Sequence, residues 1–233
     1  MSIYAISDLH LAKSVDKSMD VFGARWSNYM GRLESEWRQT VSADDYVLVP
    51  GDISWATYLE QVYEDFRLID SLPGRKIISK GNHDYWWTTL SKLEHFISEK
   101  GFSTISFMHN NSFRLENSVV CGTRGWKTPG DDEFSTEDRK IYARELQRLE
   151  YSLAKAERRD DETLIAAIHF PVFNSKGVFS EFLDIMLRYG VDLCIYGHLH
   201  GEACRSAIEG LVKGIDFRFI SADHLGFKPM KLI

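Results

Sequence analysis

Leu193-Cys194-Ile195-Tyr196-Gly197-His198-Leu199-His200 puts a short apolar run, a glycine and two histidines in eight residues. The run is too short for a helix, is rich in β-branched and aromatic residues, and stops at a turn residue. It reads as a buried strand whose end carries imidazoles. The same theme recurs along the chain. Ile3 to Ile6 leads into Ser7-Asp8-Leu9-His10, and Tyr46 to Val49 into Pro50-Gly51-Asp52. Ile77 to Ser79 leads into Gly81-Asn82-His83-Asp84, and Leu164 to Ile168 into His169-Phe170-Pro171.

Helical patterns lie between these runs, over residues 26–41, 58–72, 88–100, 135–159 and 179–189. Pro73-Gly74, Gly101 and Gly190 stop three of them. Ser135 with Asp138 resembles a capping box at the start of the fourth. Strands alternating with helices argue an α/β fold. Further strands are expected at 104–107, 112–115, 118–121 and 216–220, with Glu116-Asn117 as a tight turn in a meander. A mixed sheet, or two sheets, is therefore expected rather than a purely parallel one. Residues 13–28 have apolar side chains without a period, and 127–133 read as an exposed loop.

The 233 residues suffice for a single domain with a real core, with 44% hydrophobic and 27% charged residues. A net charge of -6 lacks the basic footprint of a duplex-binding protein, so nucleic acid is not the expected partner. Cys121, Cys194 and Cys204 have no CxxC spacing and suggest neither a disulfide framework nor a zinc ribbon. The N-terminus does not read as a signal peptide, and no stretch approaches the roughly 18 apolar residues of a membrane span. A cytoplasmic protein is expected.

In open α/β sheets, ligands bind outside the carboxyl ends of the strands. Five of the eight histidines sit at such ends, with Asp8, Asp52 and Asn82 among them. Imidazole, carboxylate and amide donors without thiolate suit Mn, Fe, Zn, Co or Ni.

The series Asp8-x-His10, Gly51-Asp52, Gly81-Asn82-His83-Asp84, His169 and Gly197-His198-x-His200 resembles the calcineurin-like metallophosphoesterases. That resemblance implies a four-layer sandwich of two mixed β-sheets flanked by helices. It implies a dinuclear centre of two divalent ions, most simply Mn, Fe or Zn. Asp8, His10, Asp52 and His200 would hold one ion, and Asp52, Asn82, His169 and His198 the other, with Asp52 bridging. His83 would face the substrate. Two such ions lower the pKa of a shared water, giving hydroxide at neutral pH. Two dications, two carboxylates and that hydroxide leave about +1, which attracts an anionic phosphoester.

The resemblance has limits. After Asp52 the chain reads Ile53-Ser54-Trp55-Ala56, and Asp84 follows Asn82-His83. The protein serine/threonine phosphatase branch would have Asp-Arg-Gly and a glutamate there, so that branch is set aside. Arg124, in Gly122-Thr123-Arg124-Gly125-Trp126, is the candidate replacement for the missing phosphate-binding arginine, with Lys80 behind it. Asp84 is read either as a carboxylate orienting the His83 imidazole or as a turn or helix cap. Tyr85-Trp86-Trp87 is read as core packing, with nucleobase stacking as the alternative. The expected activity is hydrolysis of a small phosphomonoester or phosphodiester, with His83 as general acid. A nuclease and an inactive scaffold of the same fold are the alternatives.

Overall fold

The computed structural model describes all 233 residues. In chain order the elements begin with β1 (Ile3–Ala5), α1 (Tyr29–Thr40), β2 (Tyr46–Pro50), α2 (Tyr63–Ser71), β3 (Arg75–Ser79), α3 (Leu90–Lys100) and β4 (Ile105–Phe107). They continue with β5 (Ser112–Leu115), β6 (Ser118–Thr123), α4 (Thr136–Ala154), β7 (Thr163–Ile168), α5 (Glu181–Tyr189) and β8 (Leu193–Tyr196). Strands β9 (Gly210–Val212), β10 (Ile215–Phe219) and β11 (Met230–Lys231) complete the chain. It falls into two compact units, residues 1–107 with 220–233, and residues 108–219.

The first unit is a five-stranded sheet in the order β11-β1-β2-β3-β4. Strands β1 to β4 pair in parallel and β11 is antiparallel. Tyr29, Leu33 and Trp37 recur at helical spacing along α1 and are buried, which docks that helix on the core. The Lys76 side chain is also fully buried. Its Nζ donates to the carbonyls of Leu72 (2.6 Å) and Gly74 (2.8 Å), just past the end of α2. The ammonium thus satisfies acceptors that the helix end leaves open. Burial pulls its pKa down to about 8. Lys76→Met is expected to destabilise the protein by about 2 kcal/mol at pH 7, because those carbonyls lose a charged donor. A depressed lysine pKa means that the unfolded chain binds more protons between about pH 8 and 10, so wild-type stability from this group rises across that window. The deficit of the variant should widen there. Urea denaturation at pH 7 and 9.5 measures both; a variant as stable as the wild type at pH 7 would contradict the capping role, and a deficit that does not widen at pH 9.5 would contradict the lowered pKa.

The second unit is a six-stranded sheet in the order β5-β6-β7-β8-β10-β9. Its four central strands are parallel, and both edges are antiparallel. Every residue of β6 and β8 is buried, the pattern of strands covered on both faces. The capping box at Ser135 is present: Ser135 Oγ accepts from Asp138 N–H (3.0 Å), and an Asp138 oxygen accepts from Ser135 N–H (2.9 Å). These bonds from Ser135 pull Asp138 down to about 2.

The α/β class is as expected, and each sheet is mixed. Some expectations need correction. Residues 104–107 do not join a meander: β4 pairs in parallel with β3, and only β5 and β6 form a hairpin, turning at Glu116 with φ 49°. The expected helix from residue 58 is a 3-10 turn over Leu59–Val62 before α2. Strands β9 and β11 were not foreseen, being three and two residues long at sheet edges.

Candidate metal centre

In the first unit three candidate segments follow three neighbouring parallel strands. Asp8 and His10 follow β1, Asp52 follows β2, and Asn82, His83 and Asp84 follow β3. Asp8, His10 and Asp52 are buried. Backbone bonds tie the first two loops together: Asp8 N–H donates to Gly51 O (3.0 Å) and His10 N–H to Asp52 O (3.0 Å). One Asp8 oxygen accepts from Ser221 Oγ (3.0 Å) and from Ser7 Oγ. Asp52 Oδ1 accepts from His83 N–H (2.8 Å), and Asp52 Oδ2 lies 3.7 Å from His10 Nε2. Asn82 is half-buried in the loop after β3.

Asp84 is the hub of these loops. Its oxygens accept from the N–H groups of Asp52 (2.9 Å), Ile53 (2.9 Å), Ser54 (3.3 Å) and Gly81 (2.7 Å), and from Trp86 Nε1 (3.1 Å). Burial is the main cause raising its pKa, and the Asp52 carboxylate adds to it, while the N–H donors oppose both. The His83 imidazole is not among its partners, so Asp84 positions Asp52 rather than orienting His83. It opens a turn, its carbonyl accepting from Trp87 N–H (3.2 Å), and is not a helix cap, since Thr89 precedes α3.

The His83 ring instead packs on Trp55, 4.6 Å between centroids, and 5.7 Å from the His10 ring. Trp55 also stacks on His10 at 4.8 Å, with planes 24° apart. Sequence reasoning noted Trp55 only as a departure and gave it no role. Trp86 and Trp87 are buried in the core, with Trp86 edge-on to Phe66 at 5.2 Å, so core packing accounts for them. The 13–28 segment contributes Trp26, whose edge meets the His10 ring at 5.9 Å. Val21 and Phe22 in its middle are 81% and 68% exposed.

Gly81 is required by closeness. A Cβ there would lie 2.1 Å from Asp52 Oδ1 and 2.2 Å from Asp52 N. Gly81→Ala must therefore push Asp52 aside. A displacement of about 1 Å at a reacting centre costs about 10²-fold, and a loss of that size in kcat/KM is expected with the fold kept by circular dichroism. Wild-type kinetics would contradict the tight placement of Asp52.

In the second unit His169 follows β7 and is buried, while His198 and His200 follow β8 and are half-buried. The His169 and His198 rings are 5.2 Å apart, and Phe170 lies 4.0 Å from His198. Arg124 follows β6. Its guanidinium is mostly buried, pairs with Glu145 on α4 at 3.2 Å, and lies 4.3 Å from the Trp126 ring centroid. Burial lowers its pKa and Glu145 works against that. The geometry gives Arg124 a structural partner in Glu145.

The backbone marks the same residues. Asp8, His10, Asp52 and His198 have φ between 46° and 72°, four of the eleven non-glycine residues with positive φ. Such conformations cost about 1–3 kcal/mol each and persist where the surroundings impose them, often at functional sites. The donor chemistry fits divalent ions: the candidate ligands offer oxygen and imidazole nitrogen only. Burial raises the thiols of Cys121 and Cys194, so neither is a ready thiolate ligand.

A parallel-strand scaffold with aspartates and histidines at its carboxyl ends defines a class, and comparison with known proteins places the chain in it. Residues 1–202 match the calcineurin-like phosphoesterase family, and the chain belongs to that family. It is 23% identical over 205 residues to probable purple acid phosphatase 20 of Arabidopsis thaliana, covering 78% of this chain and 44% of that protein. It is 22% identical over 188 residues to purple acid phosphatase 22 of the same plant, covering 72% and 42%. The chain thus spans less than half the length of these curated relatives. Its fold is similar to that of a phosphopantetheinyl hydrolase (PptH) from Mycobacterium tuberculosis, with TM-score 0.60 and 14% identity over 100% of this chain and 95% of that one. It is also similar to AQ665, a protein of unknown function from Aquifex aeolicus, with TM-score 0.54 and 16% identity over 99% and 95%. No helix is long and apolar enough to cross a membrane.

Proposed function

We propose that the chain is a dinuclear-metal phosphohydrolase acting on a small phosphomonoester or phosphodiester. Asp8, His10 and His200 would serve one divalent ion, and Asp52, His169 and His198 the second. Asp52 would bridge, and Asn82 would complete the second set. When bound, two divalent ions polarise phosphoryl oxygens and generate a nucleophile from water at neutral pH. Mn, Fe and Zn all suit these donors.

The chain's own residues do the rest. Ser7 and Ser221 hold the Asp8 carboxylate by hydrogen bonds. Asp84 and the His83 N–H fix Asp52. Trp55 and Trp26 restrict the His10 ring, and Trp55 supports His83. His83 would donate a proton to the leaving oxygen. The 13–28 segment, tied down through Lys13 N–H to Asp65 (2.9 Å) and through buried Trp26, would wall the entrance.

The strongest support is the backbone: four candidate ligands hold left-handed conformations at the ends of parallel strands. Glycine would hold the same conformations at lower cost. A panel of phosphomonoesters, phosphodiesters, cyclic nucleotides and oligonucleotides, assayed with Mn, tests the reading. Turnover of small esters is expected. Turnover of oligonucleotides alone would make the protein a nuclease, and none at all would make it a scaffold.

A further inference from the structure

The second unit contains a cavity of about 370 Å³ that reaches His198. Trp126, Phe170, Phe173 and Leu199 form its apolar wall. Phe170 lies 4.0 Å from the His198 ring, and Trp126 continues the wall at 5.2 Å from Phe170.

This wall is pre-formed. Trp126 Nε1 donates to Asp138 (2.9 Å), and Arg124 covers the Trp126 ring at 4.3 Å. The polar part of the lining is stitched by side chains. Asp131 accepts from Ser175 N–H (2.8 Å) and Thr128 N–H (2.8 Å), and Asn174 accepts from Lys176 N–H (3.0 Å) and Val178 N–H (3.0 Å). Asp131 and Asp132 line the cavity against a single lysine, Lys127. A second anionic group is therefore disfavoured, and a neutral limb that donates hydrogen bonds is favoured. The volume is at the small end of the roughly 300–1,000 Å³ of drug-sized ligand sites. That admits a nucleoside-sized group and is short for a lipid chain.

We propose that this cavity binds one ester limb of the substrate, a neutral, planar ring of nucleoside size, stacked on Trp126 beside Phe170 with its phosphate directed to His198. The assignment deepens the phosphohydrolase reading and rests on His198 being a metal ligand.

Matched pairs that differ only in the ring test it: adenosine 5′-monophosphate against ribose 5-phosphate, and the methyl diester of each. The member with the ring should be favoured by at least about tenfold in kcat/KM, the scale of one stacking contact. Ala203 and Ser206 line the cavity from the exposed 3-10 turn Gly201–Ser206. Ala203→Phe, and independently Ser206→Phe, should erase that preference with metal content kept. Calorimetry of adenosine binding to the metal-free protein gives a readout without turnover, and either substitution should weaken binding by about tenfold or more. Turnover without a ring preference, or a preference that survives both substitutions, overturns the cavity assignment and leaves the hydrolase reading intact. Adenosine binding that both substitutions weaken, with no ester turned over, supports the cavity and sinks the hydrolase reading. Absence of both binding and turnover removes the two together.

Discussion

Asp52→Ala should lose bound metal and turnover together. Asp52 is fully buried at the carboxyl end of β2, with φ 52°, and its neighbours hold it on several sides. Asp84 fixes its N–H at 2.9 Å, and its Oδ1 takes the His83 N–H at 2.8 Å. A carboxylate shared by two ions contributes to both sites. Its removal should therefore exceed the roughly 10–100-fold effect of losing a group behind a ligand; a loss of about 10³-fold or more is expected. Asp52→Asn separates charge from shape, since an amide oxygen can still accept the His83 N–H. It should keep the fold and still lose metal. Two equivalents of metal in either variant would remove Asp52 from the bridging position.

His83→Ala should keep both metals and lose turnover in a way that depends on the leaving group. A leaving alkoxide departs poorly unless protonated, and general acid catalysis is worth about 10²–10⁴-fold. That loss is expected on an alkyl phosphoester. On a p-nitrophenyl ester, whose leaving group needs little protonation, it should shrink. The His83 ring has a defined seat against Trp55, at 4.6 Å, so alanine removes packing as well. His83→Gln keeps more bulk and should show the same dependence on leaving group. An equal loss on both esters would make His83 a residue that positions phosphate. Loss of metal would place it among the ligands.

Much of this was legible in the residues. The strand-end theme located Asp8, Asp52, Asn82, His169 and His198, because parallel strands expose their carboxyl ends to one side of a sheet. The Ser135 capping box was legible for a similar reason, being a local pattern with a local cause. What was hidden was set by contacts distant in sequence. Ser221 is 213 positions from the Asp8 carboxylate it donates to. It also lies just past a strand, so the theme could have been followed one step further, through β10. Asp84 spans about thirty residues to gather the N–H groups of Asp52, Ile53 and Ser54, and no short-range pattern encodes that. Arg124 beside a glycine turn looked available for phosphate; its partner Glu145 lies 21 residues on, one face of α4 being turned toward β6. Trp55 follows Asp52 in a segment that fits no familiar motif, and only the folded loop shows it against both His10 and His83.

The most direct measurement is metal stoichiometry with activity. The protein is stripped with chelator, returned to Mn in steps, and analysed for bound metal and for hydrolysis of a p-nitrophenyl phosphodiester. Two ions per chain are expected, with turnover absent in the stripped protein and restored as the second ion binds. A chain that binds no more than one ion, or that hydrolyses the ester after chelation, would contradict the dinuclear centre.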